Sequence, residues 1–463
     1  MTTRTLKACI MLAAIALPGI ASAADSAELE SIRAEIQQMK QNYEARIQTL
    51  EAKLQDAQTS AGKAEQNASN AEQSAAKAET AAIEASNRTQ ASANAFNPGI
   101  SLILSGIYAS RSQDSDYHIT GFQAGGDVGP GLRGFSLAES ELGIYSNIDH
   151  YFYGGINIAL HADDSVSVEE GFIQTSALPY GLTFKGGRFF SSVGYLNEQH
   201  AHTWDFVDNP LAYQAFLGGQ FGDDGIQVKW IAPTDTFIEL GAEAGRGRIA
   251  GTEGKDQNGA AAGSLFGHVG GDIGISSSWR AGLSYLRVAA NKRESADLDT
   301  ANNFVTNRLS GNSNIWIADF IWKWAPNGNS NTTNFKLQGE YLYRQESGNL
   351  TYDIDAANST ARYNASQSGF YVQGVYQFMP YWRVGLRYDQ LDSGNVNYTS
   401  NSPNLTANGY DPQRVTVMLD YSPSEFSRLR LQLARDESRQ GKADDQIFLQ
   451  YIMSLGAHGA HKF

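Results

Sequence analysis

Between Phe370 and Asp392 the chain reads FYVQGVYQFMPYWRVGLRYDQLD. Every second residue from Phe370 to Phe378 belongs to one set (Phe370, Val372, Gly374, Tyr376, Phe378), and Tyr371, Gln373, Val375 and Gln377 fall between them. After a break at Met379-Pro380, Trp382, Val384, Leu386 and Tyr388 alternate with Arg383, Gly385, Arg387 and Asp389. Successive side chains of a strand point to opposite faces, so the pattern predicts a hairpin with one apolar and one polar surface. Aromatic residues bunch beside the turn at Tyr376, Phe378, Tyr381 and Trp382. Aromatic girdles bordering an apolar band, with a polar interior, are the pattern of a transmembrane β-barrel.

The same pattern recurs from residue 97 to the end. It predicts sixteen antiparallel strands, near 100–109, 135–148, 151–162, 166–178, 182–190, 223–232, 236–246, 264–276, 278–290, 313–325, 334–346, 369–379, 381–391, 412–422, 426–437 and 445–456. The connections alternate between short turns and longer polar loops, the longest at 110–134, 191–222, 247–263, 291–312, 347–368 and 392–411. Short periplasmic turns and long external loops are the outer-membrane arrangement, and they put both ends of the barrel in the periplasm. The fold class expected is therefore an all-β transmembrane barrel of about 16 strands, preceded by an α-helical coiled coil.

The coiled coil follows from residues 24–96. Pro is absent there and Ala, Glu, Gln and Lys dominate. Leu29, Ile32, Ile36, Met39 and Tyr43 recur in alternating steps of three and four, then Ile47, Leu50, Leu54 and Ala57. The four-residue step from Tyr43 to Ile47 is a stutter, and an alanine seam continues from Ala57 to Ala85. Apolar residues at both seam positions specify a coiled coil, here a rod of roughly 100 Å. Before it, residues 1–23 read as a signal peptide: Arg4 and Lys7, an apolar run from Ala8 to Leu17, then Ala21-Ser22-Ala23.

Bulk properties narrow the function. A formal charge of −14 excludes general nucleic-acid binding. The single cysteine, Cys9, falls in the leader, so the mature chain is expected to have no disulfide and no thiolate metal site. Negative mean hydropathy is compatible with a barrel, because half of each strand faces water.

Assigning the apolar set to lipid puts a pore-lining basic strip of Arg383, Arg387, Arg414, Arg428 and Arg430 in the lumen. Lys336 and Arg344 extend it, and Glu340 and Asp319 oppose it. Such a strip at a water-filled constriction favours anions; alternatively it pairs with loop carboxylates and braces the wall. The loop at 191–222 is too long and too aromatic for a solvated connection, which marks it as functional. Within it Glu198, His200, His202 and Asp205 form a candidate metal set suited to zinc, with Asp208 nearby. His-x-His on an extended segment puts both rings on one face. Bland polar contacts with the barrel wall are the competing reading. A second histidine pair, His458 and His461, is a candidate metal pair in the periplasmic tail. No enzyme is expected: His161 beside Asp163 and Asp164 has only Ser165 as a nucleophile neighbour. The terminal Phe463 after an alternating strand resembles the signal read by the barrel assembly machinery.

Three stretches carry a resemblance: GFSLAESELGIYSNID (134–149), GGRFFSSVGYLNEQHAHTWDFVDNPL (186–211) and SLGAHGAHKF (454–463). They resemble a proteobacterial outer-membrane group labelled zinc-regulated TonB-dependent outer membrane receptors. That resemblance implies a role in uptake of zinc or an anionic zinc chelate, with His200 and His202 as the matching ligands. The overall architecture is similar to trimeric porins with an N-terminal coiled coil, including phosphate-selective and dicarboxylate-type channels. It implies a passive channel in the outer membrane, a homotrimer, and a third outer loop folded into the barrel as a constriction. A further reading from the rod is a structural tether reaching toward peptidoglycan.

Overall fold

The computed structural model describes residues 33–59 and 98–456, apart from 43, 57, 114–115, 127, 249–251, 253–255 and 407–408. The signal peptide expected over 1–23, most of the coiled coil, His458, His461 and Phe463 lie outside the described residues. The chain divides into two units, Met1–Ala95 and Phe96–Phe463.

In the first unit the described residues form a helix over 33–42 and 44–56. Its apolar seam, Ile36, Met39, Ile47, Leu50 and Leu54, is more than half exposed along its whole length.

The second unit is a closed antiparallel barrel. Its strands are β1 (Gly99–Arg111), β2 (Gly134–Leu137), β3 (Ser140–Asn147), β4 (Phe152–Leu160), β5 (Val166–Thr175), β6 (Leu182–Phe190), β7 (Gly222–Ile231) and β8 (Phe237–Gly245). They continue with β9 (Ala262–Ile273), β10 (Ser277–Leu298), β11 (Phe304–Trp324), β12 (Asn334–Tyr352) and β13 (Ser359–Met379). The last are β14 (Trp382–Asn397), β15 (Gln413–Ser424), β16 (Ser427–Arg439) and β17 (Lys442–Gly456). β1 pairs with both β2 and β3, each strand from β3 onward pairs with the next, and β17 returns to β1 from Ser101↔Gly456 to Arg111↔Gln446, so the sheet has no free edge. β2 and β3 both pair with β1 and are one stave broken by a bulge at Ala138-Glu139. That gives the sixteen staves that the alternation predicts.

The pleat sorts the faces. On β15, Arg414, Thr416, Met418 and Asp420 are buried inward, while Val415, Val417 and Leu419 are exposed outward. On β16, Arg430, Gln432, Ala434 and Asp436 are inside, with Leu429, Leu431 and Leu433 outside. Aromatic rings border the outward apolar band on both sides. Tyr285, Trp316 and Tyr343 form a chain of rings at one level, and Trp322 on Phe335 and Trp382 on Tyr421 lie beside the short turns. A surface of this kind is solvated by lipid rather than by water.

Two of the predicted outer loops, 291–312 and 347–368, are mostly strand, and the loop 392–411 begins as strand. β10 to β14 continue well past the band, with β10 reaching Leu298, β13 starting at Ser359 and β14 reaching Asn397. Above the bilayer neither face needs to be apolar, so the sequence there loses its lipid-facing alternation while the ladder continues. A small core of Leu309, Leu350, Tyr363, Tyr398 and Leu405 stabilises this extension.

Candidate functional site

The loop between β6 and β7 turns inward and fills the lumen. Residues 191–197 and 210–217 are buried. The loop contains a 3-10 turn at Ala201–Thr203 and a helix of about two turns at Leu211–Leu217. Pro210 precedes the helix, and Gly218 ends it in the left-handed region at φ 67°. Every residue of that helix is buried. Leu211, Tyr213, Phe216, Val193 and Leu196 pack with inward residues of the wall, Leu286, Ile315, Ile317, Leu342 and Leu391. This interior is apolar where an open barrel would be polar. The first outer loop closes over it: Phe122 meets Phe216 edge-on at 5.8 Å, and Gln367 Nε2 donates to the Gly121 carbonyl at 2.9 Å.

Polar anchors surround that core. Glu340 of β12 accepts from the Tyr195 and Leu196 amides at 3.1 and 3.0 Å and from the Tyr213 and Tyr371 hydroxyls at 2.9 and 2.7 Å. The Glu340 carboxylate occupies space that only a glycine leaves. Gly194 has φ +70°, and a Cβ there would lie 2.3 Å from Glu340 Oε2. Arg344 donates to the Ala215 carbonyl at 3.0 Å, and its guanidinium lies 4.9 Å over the Phe216 ring.

The arginine strip is brought together on β14, β15 and β16, and each member closes on the loop or on a neighbouring carboxylate. Arg387 donates to Asp208 at 2.8 Å and to Asp389 at 3.0 Å. Arg414 pairs with Asp208 at 2.5 Å and donates to the Asn209 carbonyl at 2.7 Å. Arg430 pairs with Asp420 at 2.8 Å and donates to the Trp204 carbonyl at 2.7 Å. Arg428 reaches the His202 and Trp204 carbonyls, both at 3.3 Å. Arg383 pairs with Asp420 and with Asp205, which also meets Lys336. Burial alone would raise the Asp208 carboxyl, but the Arg414 and Arg387 guanidiniums hold it down at about 2. Asp205 is likewise held below its ordinary value against burial, by Lys336 and Arg383.

The candidate metal set does not assemble as a unit. Glu198 lies 3.8 Å from Lys229, and Asp205 belongs to the arginine strip. His200 and His202 do converge, with ring centroids 5.9 Å apart, because the 3-10 turn rather than an extended segment carries them to one side. Their partners come from the wall. His200 Nδ1 lies 3.2 Å from Glu141 Oε2 and 3.1 Å from Glu169 Oε2, and its Nε2 lies 3.0 Å from Glu170 Oε2. His202 Nδ1 lies 2.7 Å from Glu141 Oε1. Burial works against protonation of His200, but hydrogen bonds to the three carboxylates outweigh it and raise its pKa well above the ordinary imidazole value. Glu141, Glu169 and Glu170 sit on β3 and β5, and no spacing in the sequence links them to the loop.

Away from the lumen, the His161 region does not line up as a relay. His161 Nε2 contacts Ser167 Oγ at 2.7 Å, whereas Ser165 donates to Asp163 at 2.5 Å.

Sixteen staves, a lipid-facing apolar band and a lumen crossed by the third outer loop define an outer-membrane β-barrel of the porin type. A protein of Aquifex aeolicus (strain VF5), described as an uncharacterized protein, is 32% identical over 402 residues, covering 80% of this chain and 81% of its own length. The chain belongs to the family of that protein. No family model matches it. Among solved structures, similar chains include a loop L8 deletion mutant of OmpT, an outer membrane protein of Vibrio cholerae (12% identity, 78% of this chain, 99% of that one, TM-score 0.48). The outer membrane channel DcaP of Acinetobacter baumannii matches at 13% identity over 78% of this chain and 99% of its own, with TM-score 0.47. An anion-selective porin from Comamonas acidovorans matches at 12% over 78% and 99%, with TM-score 0.46. The TonB-dependent part of the resemblance is corrected by the barrel itself. Receptors of that class close 22 strands around a plugged lumen. Here sixteen staves enclose a core built from the chain's own outer loops.

Proposed function

We propose that the protein is a porin-like channel of the outer membrane whose passage is set by the loop at 191–222. The observation that carries this reading is the combination of a lipid-facing exterior with a lumen occupied by a loop held at discrete charged anchors. In the seated position described here the loop narrows the barrel; release of its anchors widens it. Transport is passive diffusion of a small solute. The arginine strip serves chiefly as the clamp for the loop, because its members are matched by Asp205, Asp208, Asp389 and Asp420. Zinc, or a small anionic zinc chelate, is the cargo we favour, supported by the two lumenal histidines beside three carboxylates.

Self-association through the N-terminal helix belongs to the same proposal. The exposed seam of Ile36, Met39, Ile47, Leu50 and Leu54 supports a coiled coil in the periplasm and with it a homotrimer. A liposome-swelling assay tests the channel. Vesicles carrying the folded protein should swell in small sugars or zinc salts and remain inert in large oligosaccharides. Vesicles that never swell, with the protein demonstrably folded in them, would rule the reading out.

A further inference from the structure

We infer that Glu141 of β3, Glu169 of β5 and His200 of the lumenal loop form a binding site for a divalent transition cation, zinc foremost, which clips the loop to the wall. One ligand atom from each residue lies within 4.8 Å of the others. His200 Nδ1 stands 3.2 Å from Glu141 and 3.1 Å from Glu169. Ligand atoms about 2.0–2.2 Å from a tetrahedral zinc ion are separated by roughly 3.3 Å from one another, so these spacings are those of a coordination edge. Imidazole with carboxylate oxygens suits zinc and its first-row neighbours rather than magnesium, which keeps most of its water.

Glu139 lies against Glu169, and Glu141, Glu169 and Glu170 all face the His200 ring. Hydrogen-bond geometry points to a cation among them. Nδ1 of His200 faces two carboxylates at once, and one N–H cannot satisfy both. A metal ion at Nδ1 accounts for both carboxylates. Nε2–H then donates to Glu170 at 3.0 Å, the carboxylate–histidine–metal arrangement that fixes the ring and its tautomer. His202 Nδ1 reaches the second oxygen of Glu141 at 2.7 Å, which supports the site on its other side.

The inference rests on where the loop sits and not on whether the barrel conducts, so calorimetry and ion current fail independently. The test titrates zinc chloride into the full chain, folded in detergent and stripped with chelator. Wild type should bind one equivalent. Glu141→Gln/Glu169→Gln and His200→Ala should each bind at least 100-fold more weakly, and Glu170→Gln about 10–100-fold more weakly. His268→Ala, which removes a buried histidine paired with Glu239 at 2.9 Å, should bind as wild type does. Magnesium at the same concentration should not compete. A heat-modifiable gel shift reports folding of each variant. Should the double variant not fold, Glu169→Gln alone and the visible spectrum of the cobalt(II)-loaded wild type carry the test. Folded wild type that binds no zinc would overturn the site. So would equal binding by the carboxamide variants, or zinc lost only when His458 and His461 are replaced.

Discussion

Asp208→Asn tests how the loop is held. The change preserves shape and removes the charge that faces Arg387 at 2.8 Å and Arg414 at 2.5 Å. Both guanidiniums are buried. A carboxyl held at about 2, below its ordinary value, contributes on the order of 2–3 kcal/mol at neutral pH. Removing one partner of a buried pair costs about 3–5 kcal/mol when the other charge is stranded. Here Asp389 stays beside both arginines, at 3.0 and 3.5 Å, which puts the cost at the lower end. About 2–3 kcal/mol is roughly a 30- to 150-fold increase in the ratio of released to seated loop. Single-channel recording in planar bilayers reads this directly as time spent in the wider state. The pH dependence carries the same sign. A carboxyl with a depressed folded value contributes fully above about pH 4, and its contribution is lost as the pH falls towards 2. Acid should therefore open wild type across that window and have little further effect on Asp208→Asn. A variant with wild-type dwell times at neutral pH would refute the clamp, as would wild type that is indifferent to acid.

Other consequences are equally open to measurement. Gly194→Ala combines strain at φ +70° with displacement of Glu340, so its loop should be released at least as often as that of Asp208→Asn in the same recordings. Glu340→Gln leaves at least one of the Tyr195 and Leu196 amides without an acceptor, a loss of about 1–3 kcal/mol, and should lower the thermal midpoint of the folded barrel in detergent. Leu386→Arg puts a cation on the lipid face and should cost about 2–4 kcal/mol in equilibrium folding into bilayers if the position is near the midplane. Ile47→Ser/Leu50→Ser/Leu54→Ser should dissociate the oligomer, as followed by light scattering on eluting micelles, and leave the barrel folded.

What the sequence displays and what it conceals divide along physical lines. The sixteen staves are legible because lipid demands an apolar residue at every second position, as in Val415, Val417 and Leu419. The extensions at Ser359–Ser366 and beyond Asp392 are not, because strand pairing above the bilayer makes no such demand. The loop announces itself by composition: Trp204, Phe206, Leu211, Tyr213 and Phe216 are too apolar to face water. By the same reasoning Ile119 and Phe122 in the first outer loop could have been found, two apolar residues within a Gly-rich polar stretch that prove to be buried. His200 and His202 are legible as a pair. Their carboxylate partners are not, since Glu141 and Glu169 meet them only through the pairing of β3, β4 and β5 and the inward turn of the loop. Glu198 and Asp205 are close to the histidines in sequence, but the turn at Ala201–Thr203 sends them to different parts of the wall.

The most direct measurement is the conductance of a barrel without its plug. Phe190 and Gly222 are cross-strand partners, so a short Gly/Ser turn can replace residues 191–221 and leave the β6–β7 hairpin and barrel closure intact. In planar bilayers the shortened protein should give large, steady single-channel steps, and the wild type smaller or intermittent ones. Steps of equal size from the two proteins, or silence from a shortened barrel that has folded, would contradict the account.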